Sequence, residues 1–205
     1  MFNRFARRLV LAPLATAVLF GSAVWADIKG SAHDFSSQSW SGGQTCVVCH
    51  TPHNGKTSVV PLWNRATTTS AFTLYSSPTF KAAAGQPSGA SKACLSCHDG
   101  TVALDSFGGN NGTTFLAGRT LLANDLSNDH PISFPYDAAL AASDGGLRNP
   151  ATAPSGLGGT IRDDLLFNGS MECASCHDVH NSHNQPSLLV KSNAGSALCL
   201  TCHNK

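Results

Sequence analysis

The segment Cys46-Val47-Val48-Cys49-His50 is the first of four copies of one pattern, Cys-x-x-Cys-His, and this pattern decides the architecture of the chain. The other copies are Cys94-Leu95-Ser96-Cys97-His98, Cys173-Ala174-Ser175-Cys176-His177 and Cys199-Leu200-Thr201-Cys202-His203. Together they use all eight cysteines of the 205 residues. The pattern is the signature of c-type haem attachment, in which two thiols bond to one porphyrin and the histidine binds the iron. The sequence therefore predicts four covalently bound haems c, with His50, His98, His177 and His203 as proximal ligands.

Paired cysteines also occur in tetrahedral zinc sites and, in exported proteins, in disulfides. Neither alternative explains why a histidine follows the second cysteine in all four copies. A thioredoxin-like redox site needs one Cys-x-x-Cys within a βαβ pattern, which this sequence lacks. The histidine in each copy therefore favours haem over zinc, disulfide and dithiol chemistry.

Five histidines remain after the four proximal ones, which is enough to give every iron a second, distal imidazole. A repeat within the chain decides between two of them. Cys49-His50-Thr51-Pro52-His53-Asn54 parallels Cys176-His177-Asp178-Val179-His180-Asn181, so the repeat favours His180 over His183. The predicted distal ligands are His33, His53, His130 and His180, and His183 is the surplus histidine.

The spacing of the repeat also limits which iron each distal histidine binds. His53 and His180 follow their proximal histidines by three residues, which reach at most about 10 Å and cannot pass around the rim of a porphyrin. Each must therefore serve a different haem. An iron closed by two imidazoles has no site for a substrate, so the sequence predicts electron transfer without catalytic residues. The alternatives are a monomeric periplasmic electron shuttle and, if one histidine fails to ligate, a multihaem reductase with one open iron.

The N-terminus has the features of a secretory signal peptide. Arg4, Arg7 and Arg8 precede a short apolar run and small residues that end at Ala26, so we expect residues 1–26 to be removed. No apolar stretch is long enough to span a bilayer. Without the three arginines, ten basic side chains face twelve acidic ones, and a net charge of −2 gives no reason to expect nucleic acid as a partner.

The remaining residues 27–205 are rich in Gly, Ser, Thr, Asn and Ala and are expected to form one tetrahaem domain. Such a chain buries little apolar area of its own, so the haems must supply most of the core. The predicted fold is a multihaem cytochrome c of mostly irregular backbone, with short α-helices and a few short β-strands around four haems. Residues 143–161 are expected to form a loop because glycine and proline recur there, and Met171 is expected to pack in the interior.

Several longer stretches resemble one family. They are His33-Asp34-Phe35-Ser36, Cys46-Val47-Val48-Cys49-His50-Thr51-Pro52-His53-Asn54, Cys97-His98-Asp99-Gly100-Thr101-Val102-Ala103-Leu104-Asp105, and the ending from Val190 to Lys205. The chain resembles the OmcE-type tetrahaem outer-surface c-type cytochromes, the filament-forming cytochrome nanowire family, over nearly the whole mature length.

This resemblance implies that the protein is secreted to the cell outer surface and polymerises with itself into a filament that carries respiratory electrons. It further implies that His53 completes a haem of the neighbouring subunit. The implied partners are upstream periplasmic or outer-membrane cytochromes as donors and extracellular acceptors such as minerals or partner cells. These are expectations from the resemblance, and the spacing of the motifs by itself requires only that His53 serve another iron.

Overall fold

Helices in this protein are short, and the backbone between them is irregular. The computed structural model describes residues 28–204, so the predicted signal peptide at residues 1–26 lies outside the described residues. The α-helices are α1 (Gly89–His98), α2 (Ala138–Asp144), α3 (Ile161–Leu165) and α4 (Cys199–Cys202). Two-residue strands β1 (Phe134–Pro135) and β2 (Ser170–Met171) pair antiparallel, with Phe134 opposite Met171. The predicted short helices and short strands in a mostly irregular backbone are confirmed.

Single 3-10 turns supply most of the remaining regular structure. They are Ser39–Ser41, Gly118–Thr120, Cys173–Ser175, Pro186–Leu188 and Ala194–Ser196. One of them, Cys173–Ser175, coincides with the start of the third Cys-x-x-Cys-His copy.

Helix α1, the longest helix within residues 28–204, carries the second Cys-x-x-Cys-His copy at its C-terminal end. Its first turn has no side-chain cap from Ser88, and instead the backbone N–H of Ser91 donates to the Glu172 carboxylate at 3.3 Å. A carboxylate at this end of a helix satisfies a free donor and opposes the helix dipole. The helix ends before Gly100, whose φ of +79° is the left-handed conformation that glycine adopts at low cost.

The apolar core is small and lies in two places. The larger cluster is formed by Phe134, Tyr136, Ala141, Ile161, Leu165, Met171, Val190 and Leu198. Met171 is buried there, as expected of a packing residue. A second, smaller cluster consists of Phe72, Leu95 and Leu126 and holds the middle of α1 in place.

The glycine- and proline-rich stretch is shorter and more ordered than residues 143–161. Helix α2 covers its first two residues, and α3 begins at its last residue. Between the helices, Ser155 is fully buried and donates to the Asp164 carboxylate, while Lys191 Nζ donates to the Ser155 carbonyl at 2.7 Å. These polar contacts fasten the loop to α3 and to the C-terminal region.

Within residues 28–204, no helix has the length and hydropathy that a membrane crossing requires.

Candidate haem-binding sites

Each Cys-x-x-Cys-His copy folds into one helical turn. The backbone N–H of the histidine donates to the carbonyl of the first cysteine in three copies, at 2.8 Å for His50, 3.0 Å for His177 and 3.0 Å for His203. The fourth histidine, His98, is the last residue of α1. Residues three and four positions apart share one face of a helical turn. Each turn therefore presents two thiols and one imidazole to the same side, which is the arrangement that c-type attachment requires.

A carbonyl oxygen from a distant segment orients three of the four proximal imidazoles. Nδ1 of His50 lies 2.8 Å from the Pro61 carbonyl oxygen, and Nδ1 of His98 lies 2.8 Å from that of Thr120. Nδ1 of His177 lies 3.0 Å from the carbonyl oxygen of Ser187. A carbonyl only accepts, so Nδ1 carries the proton and Nε2 keeps its lone pair for a metal. Such a second partner fixes the tautomer and ring orientation of metal-binding histidines.

In the first and third copies, the same backbone hydrogen bond lies next to the carbonyl that contacts the proximal histidine. Thr51 N–H donates to the Leu62 carbonyl at 2.9 Å, and Asp178 N–H donates to the Leu188 carbonyl at 2.6 Å. Leu62 and Leu188 both have positive φ, +57° and +56°. Left-handed backbone is unusual for leucine, so its presence at two equivalent places indicates a repeated local structure. The structural repeat thus includes Leu62 and Leu188, which lie beyond the histidines by which the repeat is recognised in the sequence.

Three of the predicted distal histidines lie opposite proximal histidines of other segments. The ring centroids are 6.2 Å apart for His33 and His98, 6.1 Å for His180 and His50, and 6.4 Å for His130 and His203. His180 therefore faces the proximal histidine of the first copy, and not that of its own, as the spacing argument requires. In each of the three pairs, the structure brings together two histidines that are far apart in sequence.

These separations fit two imidazoles on opposite faces of one iron. A metal to imidazole nitrogen bond is about 2 Å, and the ring nitrogen lies roughly 1.2 Å from the ring centroid, so two imidazoles that bound one metal from opposite sides would have centroids about 6.4 Å apart. All three measured distances lie close to this value. Direct stacking or a hydrogen bond between the two imidazoles would bring the rings closer. The donor set therefore fits haem iron with two axial histidines at three of the four sites.

The environment of His33 favours the form that binds metal. Burial, together with the smaller effects of the neighbouring His98, His177 and His180, lowers the pKa of His33 to about 4. The imidazole is consequently neutral at physiological pH, and only neutral imidazole has a lone pair for iron. Its Nδ1 is buried without a hydrogen-bond partner.

Three histidines form no such pair within residues 28–204. They are the proximal His177 and two of the five distal candidates, His53 and His183, and all three are exposed. Within residues 28–204, a predicted distal histidine therefore faces each of His50, His98 and His203, and none faces His177. The assignment of His53 stays a prediction.

Burial disfavours the thiolate form of Cys49, Cys97, Cys176 and Cys202, whereas a hydrogen bond with Cys94 lowers the pKa of Cys173. Burial raises the pKa of Cys49 to about 11 and that of Cys202 to about 11. A zinc site requires thiolates, whereas bonding to a porphyrin leaves a neutral thioether. In the part of the chain from 28 to 204, no three His, Cys, Asp or Glu side chains converge as a metal-binding group.

Three buried charged residues lie near the motifs, and two of them, Arg65 and Glu172, had no signal in the sequence. Arg65 and Glu172 are each 3% exposed. Glu172 precedes the third copy and caps α1, which carries the second copy. Arg65 lies beside the first and second copies. Both become recognisable only once the segments that surround them are placed.

Comparison with known proteins bears on the C-terminal part of the chain. Residues 167–205 match the family described as the doubled CXXCH motif, and these residues contain the third and fourth copies. The match indicates covalently bound haem c and a multihaem c-type cytochrome region, whose general role is electron transfer. Among curated proteins, none matches the chain.

Proposed function

We propose that the mature chain carries electrons through four covalently bound haems c, each closed by two histidines, and that it polymerises into an extracellular filament. The observation that carries the proposal is the set of three histidine pairs 6.1–6.4 Å apart. When bound, each haem iron supplies a reversible one-electron change. The chain contributes thiols that fix each porphyrin and imidazoles that close both faces of each iron.

Closed irons favour electron transfer over catalysis. A substrate needs an open coordination position, and paired imidazoles leave none. The carbonyls of Pro61, Thr120 and Ser187 hold three proximal rings in one orientation and in one tautomer. Rigid ligands reduce the structural change that accompanies a change of iron charge. The protein is therefore proposed to be an electron-transfer protein and not an enzyme.

One proximal histidine without a distal partner and one exposed, unpaired distal candidate together support polymerisation. The iron held by His177 has no distal histidine within residues 28–204, and His53 is exposed without an imidazole opposite it. By the repeat, His53 occupies the position of His180, which faces the proximal histidine of a different copy. Asn54 and Asn181, which follow these two histidines, have similar φ values of +57° and +54°. We therefore assign His53 to the haem of His177 in a neighbouring subunit.

The proposal also includes export of the protein and the donors and acceptors of its electrons. The predicted signal peptide would send the chain out of the cytoplasm, and the resemblance to filament-forming cytochromes supports a location at the outer surface. Electrons would enter from periplasmic or outer-membrane cytochromes and leave to extracellular acceptors. A histidine shared across each junction would join successive haem groups into one continuous path.

Two single substitutions separate the filament from a monomeric shuttle. His53→Ala removes the proposed ligand in trans, and His183→Ala is its matched control because both side chains are exposed. We expect His53→Ala to abolish filaments in electron micrographs of sheared cells and to leave one haem of four that binds carbon monoxide. His183→Ala should form filaments that do not bind carbon monoxide. Filaments of normal length from His53→Ala would refute the assignment, and dispersed wild-type monomers with four closed haems would return the protein to the periplasm as a shuttle.

A further inference from the structure

Arg65 is a buried cation held by backbone carbonyls. Its side chain is 3% exposed. Nη1 donates to the carbonyl oxygens of Val48 at 3.2 Å and Leu104 at 2.9 Å, and Nη2 donates to that of Ala103. Nε–H is buried and has no partner. The guanidinium is therefore fixed in place, with one donor left over.

Arg65 forms no ion pair within residues 28–204, although the buried Asp99 carboxylate also acts on the Cys97 thiol. Across residues 28–204, the ion pairs are Arg162 with Asp163 and His180 with Asp178, and neither includes Arg65. An arginine remains protonated at any physiological pH, so burial cannot neutralise it. A buried unpaired charge is costly, and three carbonyl dipoles offset only part of the cost. Its retention in the interior calls for a role that uses the charge.

The position of Arg65 is between two predicted attachment sites. Val48 lies inside the first Cys-x-x-Cys-His copy, and Ala103 and Leu104 follow the second copy. Val48 directly precedes Cys49, so the guanidinium contacts the backbone beside an attachment thiol of the first copy and the segment that follows the second copy.

We propose that Arg65 is a fixed positive charge that raises the reduction potentials of the two haems attached at Cys46 with Cys49 and at Cys94 with Cys97. Reduction adds one electron to ferric iron, gives ferrous iron and makes the site one unit less positive. A nearby cation disfavours the more positive oxidised state, so it shifts this equilibrium toward reduction. The electron comes from a neighbouring haem or an added reductant, and no proton moves. The free Nε–H is a donor suited to a porphyrin carboxylate.

The inference rests on the proposed haem attachment and is tested by potentials. Arg65→Met removes the charge and keeps the length of the side chain. In a spectroelectrochemical titration of holoprotein, we expect two of four midpoints to fall, each by on the order of tenfold in the reduction equilibrium, which is about 59 mV for one electron. Arg65→Lys should restore most of the shift. Arg119→Met, which removes an exposed charge next to Thr120, should leave all midpoints in place because solvent screens it.

The outcomes distinguish this inference from the proposed function. Mass spectrometry of each variant counts the attached haems before the titration. Four haems with four unchanged midpoints in Arg65→Met would overturn the role of Arg65 and leave the electron-transfer proposal intact. A wild-type protein without four covalent haems would overturn both. If Arg65→Met does not fold, Arg65→Gln retains an amide donor for the carbonyls, removes the same charge and carries the same expectation.

Discussion

Glu172, the only glutamate of the chain, should be a stabilising link between the second and third haem-attachment segments. Its Oε2 accepts from the Ser91 N–H at 3.3 Å and from the Ser133 hydroxyl at 3.0 Å. Its side chain also accepts from the backbone N–H of Ser175, in a capping box. The carboxylate thus satisfies three donors and stands at the N-terminus of α1. Replacement by glutamine removes the charge with little change of shape.

The size of the effect follows from these contacts. A buried hydrogen bond to a charged group contributes about 1.5–3 kcal/mol, and a negative charge at a helix N-terminus adds about 0.3–2 kcal/mol. We therefore expect Glu172→Gln to lower the free energy of unfolding by roughly 2–4 kcal/mol. For a chain of this length, this corresponds to a fall in Tm of roughly 5–15 °C.

The assay is guanidinium unfolding of wild-type and variant holoprotein, followed by far-ultraviolet circular dichroism. Both proteins carry the same covalent haems, so the constraint that these place on the unfolded chain cancels in the difference. The control is Asp163→Asn, which removes an exposed carboxylate from the first turn of α3 and should change the midpoint much less. A Glu172→Gln midpoint as close to wild type as that of the control would refute the linking role.

Two further substitutions test the core and the pairing of histidines. Leu95→Ala should leave a cavity between α1 and its neighbours Phe72 and Leu126. We expect it to lower the free energy of unfolding by about 2–5 kcal/mol in the same denaturation assay. His180→Ala should open the iron held by His50, so that carbon monoxide changes the spectrum of one haem of four, whereas His183→Ala should not; an unchanged His180→Ala spectrum would mean that another residue closes this iron.

Local features of the fold could be predicted because they depend on residues that are adjacent in sequence. Cys-x-x-Cys-His dictates a helical turn with two thiols and one imidazole on one side, and frequent glycine and proline exclude long helices. The loop predicted for residues 143–161 was too long at both ends. There, Asp137 and Thr160 accept hydrogen bonds from backbone N–H groups and so begin α2 and α3.

The arrangement of the site depended on contacts between distant segments, and only part of it was accessible from sequence. The repeat that relates His53 to His180 was visible in the sequence. Because three residues are too short to pass around a porphyrin, each histidine could also be excluded from the haem of its own copy. The identity of the partner was not visible, because His130 and His203 meet only after the chain between them has folded. The burial of Arg65 has no signal in the sequence, since the carbonyls that surround it come from two separate segments.

Electron cryo-microscopy of the mature protein tests the account most directly, because it places the irons and the histidines in one map. The account predicts four haems per chain, with one iron between each of the pairs His33 with His98, His50 with His180 and His130 with His203. It further predicts that His53 of an adjacent subunit lies on the iron of His177. A map with irons outside these three pairs, or with disulfides in place of thioether bonds, would contradict it.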